Sequence, residues 1–379
     1  MSAAKRGFWC RRGWILFVAI FVLSTQPSPA AERVGITPKS ERVLASAFNA
    51  DGSLFAAAVG REVLIWKIKN GTAPGDDLRP ALRLSGHPDL VTTIAFDPRT
   101  RGSSSRLVAG TQGAAWLWNA SEQKRIAVLS HGVEGRATSL CFSADGGRFA
   151  IGSGIPSESG QVAIWKRMDE ESGPGQHFPS GAPQHVIHDH GDVVYALGFQ
   201  PDGERLAAGD AANDLKLWEV ETGKLIKPVR GHSPHSGYVL TLAWAPDGKT
   251  LTSAGTDKAL KVWRPDVTGA KIRDIEVGEL LWNIKLHKGP VLALAYDQKS
   301  GFVVSGGSDR NIHIHLADKG QHKRSINKAH HGSIQAIAIH PDGEWFVTGS
   351  WDGRCKVWSL KDGKLLAKLA VGTTAVASF

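Results

Sequence analysis

The stretch Gly349–Trp358, GSWDGRCKVW, reads as a tight turn running into a short strand that ends on a tryptophan. Asp352-Gly353 is turn chemistry, because glycine takes positive φ without a steric cost. Cys355 and Val357 then alternate with Arg354 and Lys356, the period of two expected of a strand. Versions of the stretch recur upstream as SAGTDKALKVW ending at Trp263 and SGGSDRNIHIH ending at His315. Looser versions end at Trp66, Trp118, Trp165 and Trp218. Endings spaced 43 to 53 residues apart identify a repeat architecture in which each unit is a small sheet of about four strands.

The other registers repeat with the endings. An early strand in each unit closes on a large apolar residue: Phe48, Phe96, Phe142, Phe199, Trp244, Tyr296 and Ile339. The residue before it is always small (Ala47, Ala95, Cys141, Gly198, Ala243, Ala295, Ala338), which marks a crowded place where neighbouring sheets converge. Asp-Gly turns follow at Asp51-Gly52, Asp145-Gly146, Asp202-Gly203, Asp247-Gly248 and Asp342-Gly343. Counting back one and three residues from each ending finds apolar or small residues, including Cys355, on one buried face. Fourth strands are expected near Leu82–Leu84, Ile126–Leu129, Leu225–Val229, Leu281–Ile284 and Leu365–Leu369. The connections Asn70–Pro80, Arg167–Gln184 and Arg264–Gly278, rich in Gly, Pro and charge, read as exposed loops.

Composition supports many short strands. Of 379 residues, 43 are glycine and 13 tryptophan, with only 2 methionines, and no helical period runs through the body of the chain. A single core rarely grows to this length, whereas an array of units packs each one only on its neighbours. Residues 1–30 read as a secretory signal: Lys5, Arg6, Arg11 and Arg12, an apolar run Trp14–Leu23, and small residues around Ser28-Pro29-Ala30. An uncleaved anchor is the alternative, although the apolar run is short for a span. The expected organisation is a signal over 1–30 and a repeat domain over 31–379, exported to a bacterial periplasm or cell surface, with membrane contact only through the signal segment. Setting that segment aside lowers the formal charge from +9 to +5, too mild a bias to indicate nucleic acid. Cys141 and Cys355 lie far apart in the repeat scheme and read as core residues, not a disulfide.

Over about residues 40–370 the pattern resembles the WD-repeat β-propeller family, with its Gly-His dipeptide at Gly86-His87 and Gly231-His232. The resemblance implies an all-β fold, a seven-bladed propeller of four-stranded antiparallel blades. It also implies a structural hydrogen-bond network in the better-kept repeats. In the seventh this is His330, Thr348, Asp352 and Trp358; in the fifth it is Ser253, Asp257 and Trp263 with either His232 or His235. In the sixth it is His287, Ser305 and Asp309, with His315 in the tryptophan position. The first three repeats lack the aspartate, and the fourth has an irregular turn from Asp210 to Asp214. Such His/Ser/Asp sets resemble hydrolase triads, but recurrence in several units argues for architecture, since a catalytic triad occurs once. Ring closure is expected to involve a terminus: Arg33–Ile36 or Thr374–Phe379 is the candidate closing strand.

Two clusters invite a metal reading. His185, His188, Asp189 and His190 form HVIHDH, which reads more simply as an exposed polar turn. His313 and His315 share a strand face, but two ligands do not make a site. No metal, cofactor or catalytic residue is therefore expected. The remaining candidates are partner-binding residues on the rim that carries the turns between second and third strands: Arg61, Asp210, Lys258, Arg310 and Trp351, with Tyr238 beside them. The functional expectation is a non-enzymatic scaffold for one or more proteins. The alternative is a propeller that binds a small ligand, glycan or metal, with or without chemistry.

Overall fold

The structure is a computed structural model and describes residues 42–69, 72–167, 181–228, 234–265, 271–272, 275–276 and 279–371. The signal reading of residues 1–30 and both candidate closing strands, Arg33–Ile36 and Thr374–Phe379, lie outside the described residues. Seven four-stranded antiparallel sheets follow one another along the chain, each ordered from centre to edge as its strands occur in sequence. Blade one is Val43–Phe48, Leu54–Val59, Glu62–Lys67 and Leu82–Leu84. Blade seven is Ile334–Ile339, Trp345–Ser350, Cys355–Ser359 and Leu365–Leu369. The innermost strands of all seven blades line a central cavity of about 260 Å³. A small extra hairpin, Lys271–Ile272 with Ile275–Glu276, sits in the connection before the outer strand of blade five.

The core lies between blades, not within them, because a single sheet has no interior of its own. Each third strand buries both faces. Cys355 and Val357 pack with Phe55 and Trp66 of blade one, whereas Trp358 and Phe346 pack with Ile312 and Ile314 of blade six. The period of two therefore separates two buried neighbours instead of core from solvent. Each fully buried apolar side chain of this kind contributes about 2–3 kcal/mol of transfer free energy. Small residues mark the closest approaches. A Cβ on Gly198 would lie 2.7 Å from Leu242 of the next blade, and one on Gly349 would lie 2.4 Å from Val43.

One sequence expectation is corrected here. The stretch HVIHDH is not a turn: His185–His190 is the outer strand of blade three, with Ile187 opposite Val162. Ile187 is buried and His188 and Asp189 are exposed; a register shift opposite Gly160 and Val162 then turns His190 inward as well. Among the described residues the meeting of the first and last blades has a second feature beyond the sheets. Blades one and seven each own four strands, and they join through packing and through residues 72–81, which had read as an exposed loop. The Asp77 amide donates to the Lys368 carbonyl at 2.8 Å, the Ala370 amide to the Leu78 carbonyl at 3.2 Å, and the Lys368 amide to Asp76 Oδ1 at 2.9 Å. Trp66 Nε1 holds the same loop by donating to the Leu78 carbonyl at 3.0 Å. Gly, Pro and charge in 72–81 suit an irregular strap against a strand edge as well as they suit a solvated loop.

Candidate functional site

Blades five and seven carry complete networks. A carboxylate can only accept, so the histidine Nδ1 bears the proton, and the hydroxyl must donate to Nε2. In blade seven His330 Nδ1 donates to Asp352 Oδ2 at 3.0 Å, Thr348 Oγ1 donates to His330 Nε2 at 2.7 Å, and Trp358 Nε1 donates to Thr348 Oγ1 at 2.8 Å. In blade five the corresponding distances are 2.9 Å from His235 to Asp257, 2.7 Å from Ser253 to His235 and 2.9 Å from Trp263 to Ser253. His235 is thus the network histidine; His232 lies outside the described residues. Burial holds His235 and His330 below the ordinary histidine value, partly offset by their aspartates. Burial opposes the charge on Asp257 and Asp352, but donation from the histidines outweighs it and holds both well below the ordinary carboxylate range.

The other blades depart from this pattern. In blade four His190 Nδ1 donates to Asp210 Oδ2 at 2.8 Å, but Ala208 stands where Ser253 and Thr348 stand. His190 Nε2 and Trp218 Nε1 are consequently buried without a hydrogen-bond partner. In blade two His87 bridges the Arg61 carbonyl at 2.9 Å and Trp118 Nε1 at 3.1 Å directly. In blades one and three the closing tryptophan donates to a loop carbonyl, Leu78 for Trp66 and Gly181 for Trp165. In blade six His287 donates to Asp309 at 3.1 Å and accepts from Ser305 at 3.0 Å, and His315 has neither ring nitrogen bonded. Burial raises Asp309, but donation from His287 overrides it and holds the carboxyl at about 2.

On the rim, Arg61, Lys258 and Arg310 are exposed on blades one, five and six, and Arg354 is exposed on blade seven. Lys258 and Arg310 have φ of +65° and +67°, at the turn position where blade seven has Gly353 at +72°. Tyr238 is 41% exposed beside them. Trp351 is half-buried and covered by the Arg42 guanidinium, 4.6 Å from its ring centroid. Asp210 does not belong to this surface: it is fully buried and occupied by His190 and by the Asp214 amide at 2.9 Å. Its turn has the same length as that of blade five, but Asp210 occupies the strand position of Gly255, two residues before the place of Asp257, which is Ala212 here; that offset hid its shared role as partner of the network histidine.

A belt of polar contacts on the opposite rim escaped the sequence reading. Asn49 Nδ2 donates to Ser105 Oγ of blade two at 3.1 Å, Arg167 Nη2 of blade three to buried Asp97 of blade two at 2.7 Å, and Gln200 Nε2 to the Gly248 carbonyl of blade five at 2.9 Å. His340 reaches from blade seven to the Gly52 carbonyl of blade one at 3.3 Å. The signal was available, since Asn49, Asp97, Gln200 and His340 each directly follow the large apolar residue that closes an innermost strand. The two thiols are inert by comparison: burial pushes Cys141 up to about 12 and Cys355 higher still.

The family model for the WD domain, G-beta repeat, matches residues 181–219, 223–264, 278–315 and 320–359, the half of the chain in which the His–Asp pairs are kept. Eukaryotic translation initiation factor 3 subunit I of Candida albicans is 23% identical over 329 residues, 82% of this chain and 88% of that protein. The protein of the same name from Bombyx mori is 24% identical over 324 residues, covering 82% and 90%. Striatin-4 of Homo sapiens is 24% identical over 294 residues, 74% of this chain but 37% of striatin-4. These relatives are eukaryotic, and two are by name translation factor subunits; they overturn the expectation of an exported bacterial protein of the periplasm or cell surface. Seven antiparallel blades follow one another in sequence, the last four keep His–Asp pairs, and the model for the WD domain, G-beta repeat, matches these four: the chain is a seven-bladed β-propeller that carries WD repeats.

Proposed function

We propose that this chain is a non-enzymatic protein-interaction scaffold whose partner docks on the rim of blades five, six, seven and one. The observation that carries the reading is the backbone at Lys258 and Arg310. A left-handed conformation costs a residue with a Cβ about 1 kcal/mol, and blade seven shows that glycine serves the same turn. Two long cations kept there at a cost suggest that their side chains are used. With Arg61 and Arg354 they make a basic arc over four consecutive blades, beside Tyr238 and Trp351. A partner presenting an acidic segment matches that arc, and aromatic side chains next to it supply apolar anchoring. The recurrence of the His–Asp sets as architecture, and relatives named as a factor subunit and a striatin, support a platform over an enzyme. No nucleic acid or cofactor is part of this reading.

The variant pair Lys258→Gly and Arg310→Gly tests it. Both changes relieve backbone strain, so the fold should gain about 1 kcal/mol at each site, while affinity capture should lose the partners that the unmodified chain retains. Capture by the unmodified chain should also weaken as salt rises. An unchanged set of partners with the double variant, or with Trp351→Ala added, overturns the assignment. The small-ligand alternative has one observation behind it, the central cavity with Thr92, Ser139, Thr241 and Gln335 on its wall. A large thermal shift with one small compound and no captured protein would favour it.

A further inference from the structure

Blade six differs from its neighbours at two alternate positions on one face of its third strand, and both changes introduce histidine. In blades four, five and seven the residue two places before the closing tryptophan is Lys216, Lys261 or Lys356. Each ammonium donates to the carbonyl of the residue preceding the network histidine: Asp189, Pro234 or Ala329. Lys261 also pairs with the network carboxylate, Asp257 Oδ2, at 3.1 Å. Blade six has His313 at this position, so Asp309 has no ammonium beside it from that strand.

His313 and His322 share the Ser325 hydroxyl, and the direction of that hydrogen-bond chain decides the tautomer of His313. His313 Nδ1 lies 2.8 Å from Ser325 Oγ, and that oxygen lies 2.9 Å from His322 Nε2. With the hydroxyl donating to His322, His313 Nδ1 must donate to the hydroxyl, which leaves the Nε2 lone pair bare. That nitrogen is buried and has no hydrogen-bond partner. The His313 ring meets His287 edge to face, with centroids 4.4 Å apart. One ligand atom from each of His287, Asp309 and His313 falls within 4.8 Å of the others. His287 Nδ1 is 3.1 Å from both Asp309 oxygens. Two ligands on a tetrahedral zinc with bonds of 2.0–2.1 Å stand about 3.3 Å apart, so little movement is needed to admit an ion.

We propose that blade six holds a divalent transition-metal ion of zinc type, bound by His287, Asp309 and His313 Nε2, with water completing the coordination. Two neutral imidazoles and one carboxylate are a borderline-soft donor set suited to zinc. The ion supplies the positive charge that Lys261 supplies in blade five. Ser325 is then the outer oxygen that orients a ligating histidine. Binding displaces the His287 Nδ1 proton, so one proton leaves per ion bound. His315 lies buried behind His313, with ring centroids 6.3 Å apart.

The test is zinc alone, titrated calorimetrically into the chelator-stripped full chain, with cobalt absorption as a reporter of geometry. One ion per chain is expected, with a tetrahedral cobalt spectrum and a higher melting temperature. His313→Lys restores the residue used by blades five and seven, so it should fold while weakening zinc at least roughly 100-fold. His188→Ala, on the exposed face of the blade-three outer strand, should bind as the parent does. Three results overturn the proposal: no zinc bound by the stripped parent, parental affinity in His313→Lys, or loss of the ion in His188→Ala. Should His313→Lys fail to fold, His313→Ala read by cobalt absorption decides in the same way, since it removes the ligand without adding charge.

Discussion

Ala208→Ser in blade four should stabilise the protein. The change places a hydroxyl where blades five and seven already have one, and the register is the same: Ala208 pairs with Leu197 and Lys216, as Ser253 pairs with Leu242 and Lys261. The rings await it. The His190 and Trp218 centroids are 6.0 Å apart, close to the 6.5 Å between His330 and Trp358, which Thr348 bridges. A new Oγ would donate to His190 Nε2 and accept from Trp218 Nε1, both buried and without a partner. An unsatisfied buried polar group costs about 1–3 kcal/mol, and a hydrogen bond contributes about 1 kcal/mol net. Satisfying two groups with one small hydroxyl should therefore yield roughly 2 kcal/mol, or a few degrees in melting temperature for a chain of this size. The assay is thermal and urea denaturation of the variant beside its mirror, Ser253→Ala in blade five, which should lose a comparable amount. A neutral or destabilising Ala208→Ser, with Ser253→Ala clearly destabilising, would refute the claim that blade four lacks only this oxygen.

Acid should weaken the fold in two stages. His235 and His330 are held below the ordinary value of 6.5, so the unfolded chain takes up protons first, and stability present above pH 6.5 declines as pH falls below it. Asp257 and Asp352 are held below the ordinary 3.8, so their contribution persists down to about that pH and is lost beneath it; a melting temperature that rose between pH 7 and 5 would contradict the assignment. Asp97→Ala should cost about 3–5 kcal/mol, because it removes the carboxylate that balances the charge of the mostly buried Arg167 guanidinium at a blade boundary, while the bond from Arg167 to the Gly146 carbonyl remains. Glu279→Ala, which breaks a pair with Arg264 that is 49% exposed on both sides, should cost under about 1 kcal/mol in the same denaturation experiment.

The seven blades were legible because their information is local and repeated. A turn, an alternating strand and a closing aromatic recur at one spacing, and each copy corroborates the rest. His235 could not be separated from His232 in the sequence, because the dipeptide and the spacing favour different residues and only the position of Asp257 decides. The outer strands His185–His190 and Gln321–Ile326 were missed for a physical reason: an edge strand has one packed face, so polar residues fill most of it. Asp210 was misplaced because its carboxylate reaches the histidine from the strand end, two residues before the turn position that Asp257 uses. The contact between 72–81 and Lys368 joins chain segments almost a whole domain apart, and no local pattern announces such a pairing.

The strap formed by 72–81 has a consequence in chain entropy. Every other blade boundary is crossed by a covalent connection, so its partners are held near each other even in the unfolded chain. The boundary between blades seven and one has no such tether and brings together Val43 and Leu369 at the two ends of the domain. Closing a loop about sevenfold longer than one repeat costs roughly 2 kcal/mol more, by the (3/2)RT ln n dependence. The backbone hydrogen bonds of the strap, with Trp66 and Leu78 packed beneath them, are of the size that offsets this difference. The ring is therefore a linear array whose last joint carries its own fastener.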